Sequence, residues 1–300
     1  MASPAALLPC LSSYLNMHMQ VTNKKSLGLA SSTRRTNSLP TITRSSLADN
    51  ARLLEAAAKH TVDTYVRSGM VVGLGSGLAS GMAIQYLGRQ LRAGAIQDII
   101  GIPTSVGSAS EAAKAGIPLD SYQDCPQINF TFSDADIIEE GTLVAVIGRG
   151  RTQAEESIIQ EKTILEAAEK LVFIVTEKQY KGDLDGSVPV LINCFNWMEA
   201  AEEIDDLFLG DAEVWRRSSV GHAGPLGGEF PLVTKEGHSV LDVIFTSPIL
   251  NLADVAESLD KVDGVVAHGV ISRIPCTAVI ASENGVCVVD NSPKDALKNV

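Results

Sequence analysis

The first 48 residues contain neither aspartate nor glutamate. They hold Lys24, Lys25, Arg34, Arg35 and Arg44 among many hydroxyl residues, as in "SSTRRTNSLPTITRSS". A basic, hydroxylated, acid-free leader has the composition of an organelle transit peptide. A secretory signal needs a longer unbroken apolar core than "AALLPCL", which Pro9 interrupts. The "MAS" start and the Ser/Thr bias point to a chloroplast address, and so to the stroma. The chain also lacks any apolar run near the ~20 residues of a transmembrane helix. Its five cysteines form no CxxC pair and have no histidine at metal-ligand spacing, so no metal site is expected. Cys10 lies in the leader, and Cys125, Cys194, Cys276 and Cys287 have apolar neighbours and read as buried, reduced thiols. Basic residues are scarce, 24 against 36 acidic, and the leader takes five of them. Such an acidic body repels nucleic acid and anionic membrane surfaces, and neither is expected as a partner.

What is present has an ordinary globular balance, with 45% apolar and 20% charged residues. From Ala51, "ARLLEAAAKHTVDTYVRSG" has helical period. "MVVGLGSG" is a short strand running into a glycine turn, and "LASGMAIQYLGRQLRAG" is a helix with Ile84, Leu87 and Leu91 on one face. "DIIGIPTS", "INFTF", "TLVAVIG" and "LVFIVTE" read as further strands. "ASEAAKAG" and the long "QAEESIIQEKTILEAAEK" read as helices between them. Strands alternating with helices predict an α/β, Rossmann-like parallel-sheet domain. After Gly186 the texture changes, and "SVPVLI", "NWMEAAEEIDDLFLG", "HSVLDVIF", "NLADVAESLDKVDG" and "VVAHGVI" predict a smaller α+β, ferredoxin-like lobe. "CTAVIASENGVCVVDNS" is a strand pair turning at Asn284-Gly285. The expected division is a transit peptide over 1–48, a catalytic domain over 49–186 plus 269–300, and the lobe over 187–268.

"GLGSGLASG" after a strand has neither register of GxGxxG, since Leu78 and Ser80 stand where the last glycine belongs. There is no GK[ST] P-loop either, and no nucleotide or other cofactor is expected. The loop remains a means of presenting N–H groups to an anion or a sugar hydroxyl at a helix N-terminus, or a plain tight turn. In open α/β sheets ligands bind outside the carboxyl ends of the strands. "GLGSG", "PTS", "SDAD", "GRGR" and "TEK" all fall at such ends and would converge on one edge.

In this order "VVGLGSG", "GIPTS", "AGIPL", an aspartate-bearing strand end and a GxG loop opening a helix resemble the type A ribose-5-phosphate isomerases. "SVLDVIFTSPILNLADVAESLDKVDGVVAHGVI" continues the resemblance, which covers roughly residues 50 to 292. In organisation the chain is similar to divergent plant chloroplast members. The resemblance implies a metal-free aldose–ketose isomerase of the pentose phosphate pathway and Calvin cycle. Such an enzyme converts ribose 5-phosphate to ribulose 5-phosphate, with a glutamate moving a proton between C1 and C2 through an enediolate. It also implies a small phosphorylated sugar as ligand and a homo-oligomer.

Carried onto this sequence, the base falls on Glu156, in the first turn of a helix expected near Thr152, with Thr152 and Glu155 as a capping box. The family's DGAD reads Ser133-Asp134-Ala135-Asp136 here. Asp136 matches the second aspartate, Ser133 replaces the first, and Asp134 stands at the glycine. The family's loop lysine is Ile147, followed by Gly148, Arg149 and Gly150. The TGST of the phosphate side is Ser76-Gly77-Leu78-Ala79, while Lys178 matches a retained lysine. Three readings follow: an isomerase weakened by these substitutions, with Arg149 or Arg151 replacing the lost charge; a non-catalytic sugar-phosphate-binding or scaffold protein; or an isomerase for a different phosphorylated sugar. An inward arginine favours the first, and outward arginines with Ile147 lining the pocket favour the second.

Overall fold

The computed structural model describes residues 44–123, 127–154, 156–182, 184–220 and 224–290, with side chains from Asn50 onward. The leader before Arg44, Cys125 and Glu155 lie outside the described residues. The chain opens with α1 (Arg44–Tyr65), β1 (Val71–Leu74), α2 (Leu78–Arg92), β2 (Ile100–Pro103), α3 (Val106–Ala115) and β3 (Phe130–Ser133). Short strands β4 (Ile137–Glu139) and β5 (Ala145–Val146) precede α4 (Ile158–Glu166), β6 (Leu171–Thr176) and β7 (Tyr180–Lys181). Then come β8 (Leu184–Asn193), α5 (Trp197–Leu207), β9 (Ala212–Arg216), β10 (His238–Ile249), α6 (Leu252–Leu259) and β11 (Val265–His268). The chain closes with β12 (Val270–Ile271), β13 (Cys276–Ser282) and β14 (Gly285–Asp290).

The central sheet has the order β14-β13-β6-β3-β1-β2. Its neighbours pair in parallel except the terminal hairpin β13–β14. The "LVFIV" run of β6 shows why the sheet is covered on both sides. Val172 and Ile174 join the core formed with α1 and α2, while Phe173 and Val175 join a second core with Ile158 and Leu165 of α4. A strand buried on both faces reads as a continuous apolar run rather than an alternating one. At the end of β1, a Cβ on Gly75 would overlap the Phe132 carbonyl oxygen and Ser133 Cα. That glycine lets the tips of β1 and β3 come together.

A second sheet, β11-β8-β10-β9, is antiparallel. It buries Val188, Val190, Leu241 and Val243 against Ile204 of α5 and Leu252, Val255 and Leu259 of α6. A small third sheet has the order β12-β5-β4-β7. The fold is therefore mixed α/β with a parallel central sheet.

Several expectations need correction. "TLVAVIG" supplies only the two residues of β5, which pairs with β4 and β12 rather than with the parallel sheet. The long helix expected from Gln153 is the nine-residue α4. Its N-cap is Ser157, whose Oγ accepts from Gln160 N at 3.1 Å. The capping box expected at Thr152 is therefore not where the helix begins. Residues 152–157 offer only Ala154 as an apolar contact, and the apolar period starts at Ile158. Of the cysteines, Cys276 is buried, but Cys194 is half-buried and Cys287 is exposed on the edge strand β14.

Candidate active site

The site is built at the carboxyl ends of β1, β3 and the adjoining loops. Ser76, just past β1, donates its hydroxyl to Ser105 Oγ at 2.8 Å and lies 2.9 Å from Thr104 Oγ1 of the "PTS" loop. Its backbone N–H donates to Ser133 Oγ at 3.3 Å. Ser133 is fully buried and donates to Glu161 Oε1 at 2.9 Å. The other carboxylate oxygen of Glu161 pairs with Arg151 Nη2. Glu161 is itself fully buried, in the first turn of α4. Burial pushes its pKa up; the charge and hydrogen bond of Arg151 oppose this.

Asp136 sits beside this pair. Its Oδ2 accepts the Arg149 backbone N–H at 2.8 Å. Burial raises its pKa, and the Arg149 N–H and the Arg151 charge pull the other way. Gly148 has φ 88°, and a Cβ there would press on Ile158 at the start of α4. This residue lets the "GRGR" loop turn against the helix that carries Glu161. The loop is gripped from the lobe side by buried Arg217, which donates to Gly148 O at 2.8 Å and Arg151 O at 3.1 Å. Arg217 is held in turn by a bidentate pair with Asp242 of β10.

The expected residues divide. Ser76, Ser133, Asp136 and the Gly148–Gly150 loop are brought to one edge. Gly77 is exposed at the N-cap of α2, and Gly150 is exposed with φ 65°. Glu156 is not brought in: it is exposed in the loop ahead of α4, its N–H on Gln153 O at 3.2 Å. Arg149 turns to the lobe, donating to Ser187 O at 2.5 Å and Asp185 O at 2.9 Å. Arg151 is the arginine that turns inward. Ile147 packs in the core rather than lining a cleft. Lys178 is exposed on a 3-10 turn after β6 and lines a shallow groove with Asn50, Thr176 and Ser282. The neighbouring Gln179 ties this turn to the site, donating to Ala135 O at 2.6 Å.

Sequence reasoning missed Glu161. The signal was available: "SIIQEK" begins with a Ser-x-x-Gln capping pattern directly before an apolar run, and that is where α4 starts. Asp134, expected to meet ligand, instead reaches sideways to the start of α2. It accepts from Ala79 N at 2.9 Å and from Ser80 N and Ser80 Oγ, each at 2.7 Å. Among the described residues no cluster of His, Cys, Asp and Glu is arranged to hold a metal ion, and no helix is long and apolar enough to cross a membrane.

Lys162, next to Glu161, turns the other way. Its Nζ donates to His268 O at 3.2 Å and Val270 O at 2.9 Å, and burial lowers its pKa. His268 Nδ1 accepts from Val270 N at 3.2 Å, which leaves Nε2–H to face Asp260 Oδ1 at 3.1 Å.

Comparison with known proteins gives this geometry a context. The family model of ribose 5-phosphate isomerase A (phosphoriboisomerase A) matches residues 100–285. Ribose-5-phosphate isomerase A of Synechococcus sp. (strain JA-3-3Ab) is 32% identical over 235 residues, 78% of this chain and 95% of that protein. Probable ribose-5-phosphate isomerase 3, chloroplastic, of Arabidopsis thaliana is 30% identical, covering 79% and 82%. The solved ribose 5-phosphate isomerase from Plasmodium falciparum superposes with a TM-score of 0.70 at 26% identity, over 81% of this chain and 99% of that one. The chain belongs to the ribose 5-phosphate isomerase A family.

Proposed function

We propose that the chain interconverts ribose 5-phosphate and ribulose 5-phosphate, with Glu161 as the proton carrier. The observation that supports this most is the buried Glu161 carboxylate, held between Ser133 Oγ and Arg151 at the carboxyl edge of the parallel sheet. In its ionised form Glu161 takes the proton from C2 of the aldose and returns it to C1 of the enediolate. A base of raised pKa suits both steps, because it must accept and then release the same proton near neutral pH. Arg151 supplies the donor for the developing oxyanion, and Asp136, which accepts the Arg149 backbone N–H, orients that loop. Arg151 thus takes the part of the cation missing at Ile147.

The leader directs the chain to the chloroplast stroma, a reading supported by its composition and by the chloroplastic label of one relative. The catalytic domain comprises 49–186 and 269–300, and the lobe 187–268, a division supported by β13 and β14 completing the central sheet while β9, β10 and β11 share a separate sheet with β8. The chain works as a homo-oligomer through the lobe, where Phe195 and Leu209 are exposed.

The test is turnover of ribose 5-phosphate by the purified protein, Glu161→Gln and Glu156→Gln. Glu161→Gln is expected to lower kcat by about 10²–10⁴-fold, the range of general acid–base catalysis, and Glu156→Gln by less than about threefold. The reverse ranking would return the base to Glu156. Absence of turnover in all three proteins would refute the isomerase reading.

A further inference from the structure

We propose that Asp134 is a specificity-determining residue: its carboxylate fills the N-terminal end of α2 and closes that end to the phosphate of a sugar ligand. The N-terminus of a helix attracts anions because its first N–H groups lack partners and the dipole is positive there. Here the anion is part of the chain. Asp134 Oδ2 accepts Ala79 N at 2.9 Å, and Oδ1 accepts both Ser80 N and Ser80 Oγ at 2.7 Å. The carboxyl group lies against the glycine loop, where a Cβ on Gly77 would overlap its Cγ and Oδ2. The Asp134 backbone N–H donates to Ser76 O at 3.3 Å, so both ends of the residue are fixed to the β1–α2 turn.

A phosphate entering this turn would find Ala79 and Ser80 already donating. It would also meet a carboxylate at contact distance, and two like charges that close repel in a partly screened site. A hydroxyl faces neither difficulty, because it can donate to a free lone pair of Asp134. The α2 turn therefore receives an uncharged hydroxyl end, and the phosphate of a sugar phosphate must sit elsewhere. The cause is a single position. Asp134 follows β3 directly, and a glycine there would leave the donors of α2 open.

The test uses the full chain, Asp134→Ala and Asp134→Asn, titrated with inorganic phosphate at pH 8 and constant ionic strength. The amide signals of Ala79 and Ser80 are followed by NMR. Wild type is expected to show no phosphate-dependent shift at these amides, and Asp134→Asn, which loses the charge and keeps one acceptor oxygen for the two N–H groups, a weaker shift than Asp134→Ala. Asp134→Ala is expected to show one, with an apparent Kd at least about tenfold lower than any weak wild-type binding. Phosphate shifting Ala79 and Ser80 in the wild type as strongly as in Asp134→Ala would overturn the proposal. If Asp134→Ala fails to fold, the wild-type titration decides alone: unmoved amides support the closed turn and shifted amides refute it. A kinetic arm rests on the isomerase reading: Asp134→Ala should raise the preference for ribose 5-phosphate over ribose at least about tenfold. If that reading fails, every protein is inactive while the phosphate titration still reads.

Discussion

At the scale of single residues, the site is an exchange of partners around one buried carboxylate. Ser133 stands where the family motif has an aspartate, and a hydroxyl can donate to Glu161 where a second carboxylate would repel it. Arg151 supplies the opposing charge. Arg151→Gln removes that charge from a group whose pKa burial already raises, so the Glu161 pKa must rise further. The acid limb of the kcat/KM profile is expected to move to higher pH, with kcat lower by about 10²–10³-fold. Superimposable profiles would show that Arg151 does not act on the base. The identity of the proposed base was the part of the site least legible in the sequence. Glu156 and Glu161 both follow a capping pattern, Thr152-x-x-Glu155 and Ser157-x-x-Gln160. Only apolar contacts that begin at Ile158 decide between them. By contrast the meeting of "GLGSG", "PTS" and "SDAD" was readable, because each is a polar segment placed directly after an apolar strand.

At the scale of elements, α4 and the "GRGR" loop are one device. Ser157 caps the helix one turn before Glu161. Ser157→Ala is expected to cost about 1 kcal/mol in denaturant unfolding. It should also lower kcat more than it changes KM, because the cap sets the position of the base rather than the ligand contacts. Arg217 anchors the loop from the lobe, and removing one member of its buried pair with Asp242 leaves an uncompensated charge. Arg217→Met is expected to destabilise by about 3–5 kcal/mol, a loss visible as a lower urea midpoint. The central strands were legible as elements since each is an apolar run bounded by glycine, proline or polar residues. β4, β5 and β7 were not, because strands of two or three residues carry too little period to read, and their pairing is set by tertiary contacts.

At the scale of the whole molecule, two buried clusters respond to pH in opposite directions. Burial raises Asp134 to about 6 despite its three donors. Its stabilising contribution is complete below the ordinary aspartate pKa and is lost as pH rises through 6. His268 is pushed down to about 4 by burial and by the Lys162 charge, opposed by Asp260. Its contribution is present above the ordinary histidine pKa and is lost as pH falls toward 4. Stability between pH 4 and 8 is therefore expected to be a compromise. Asp134→Asn should remove part of the decline as pH rises from the ordinary aspartate range to about 6, and His268→Asn part of the decline as pH falls to about 4, each read as the midpoint of thermal unfolding across the series. Parallel shifts at every pH would show that neither group titrates between the folded and unfolded states.

Glu161 and Lys162 are consecutive on α4, so about 100° of helix separates their directions. One side chain enters the sheet edge, and the other hooks onto the two carbonyls that flank the crossing from β11 to β12. The helix is thereby pinned in azimuth as well as in height: rolling the Glu161 carboxylate away from Ser133 drags the amine off both of its hooks. The strand crossing thus acts as a keyway for the base, and a loosened Lys162 would be felt first as a misaimed carboxylate.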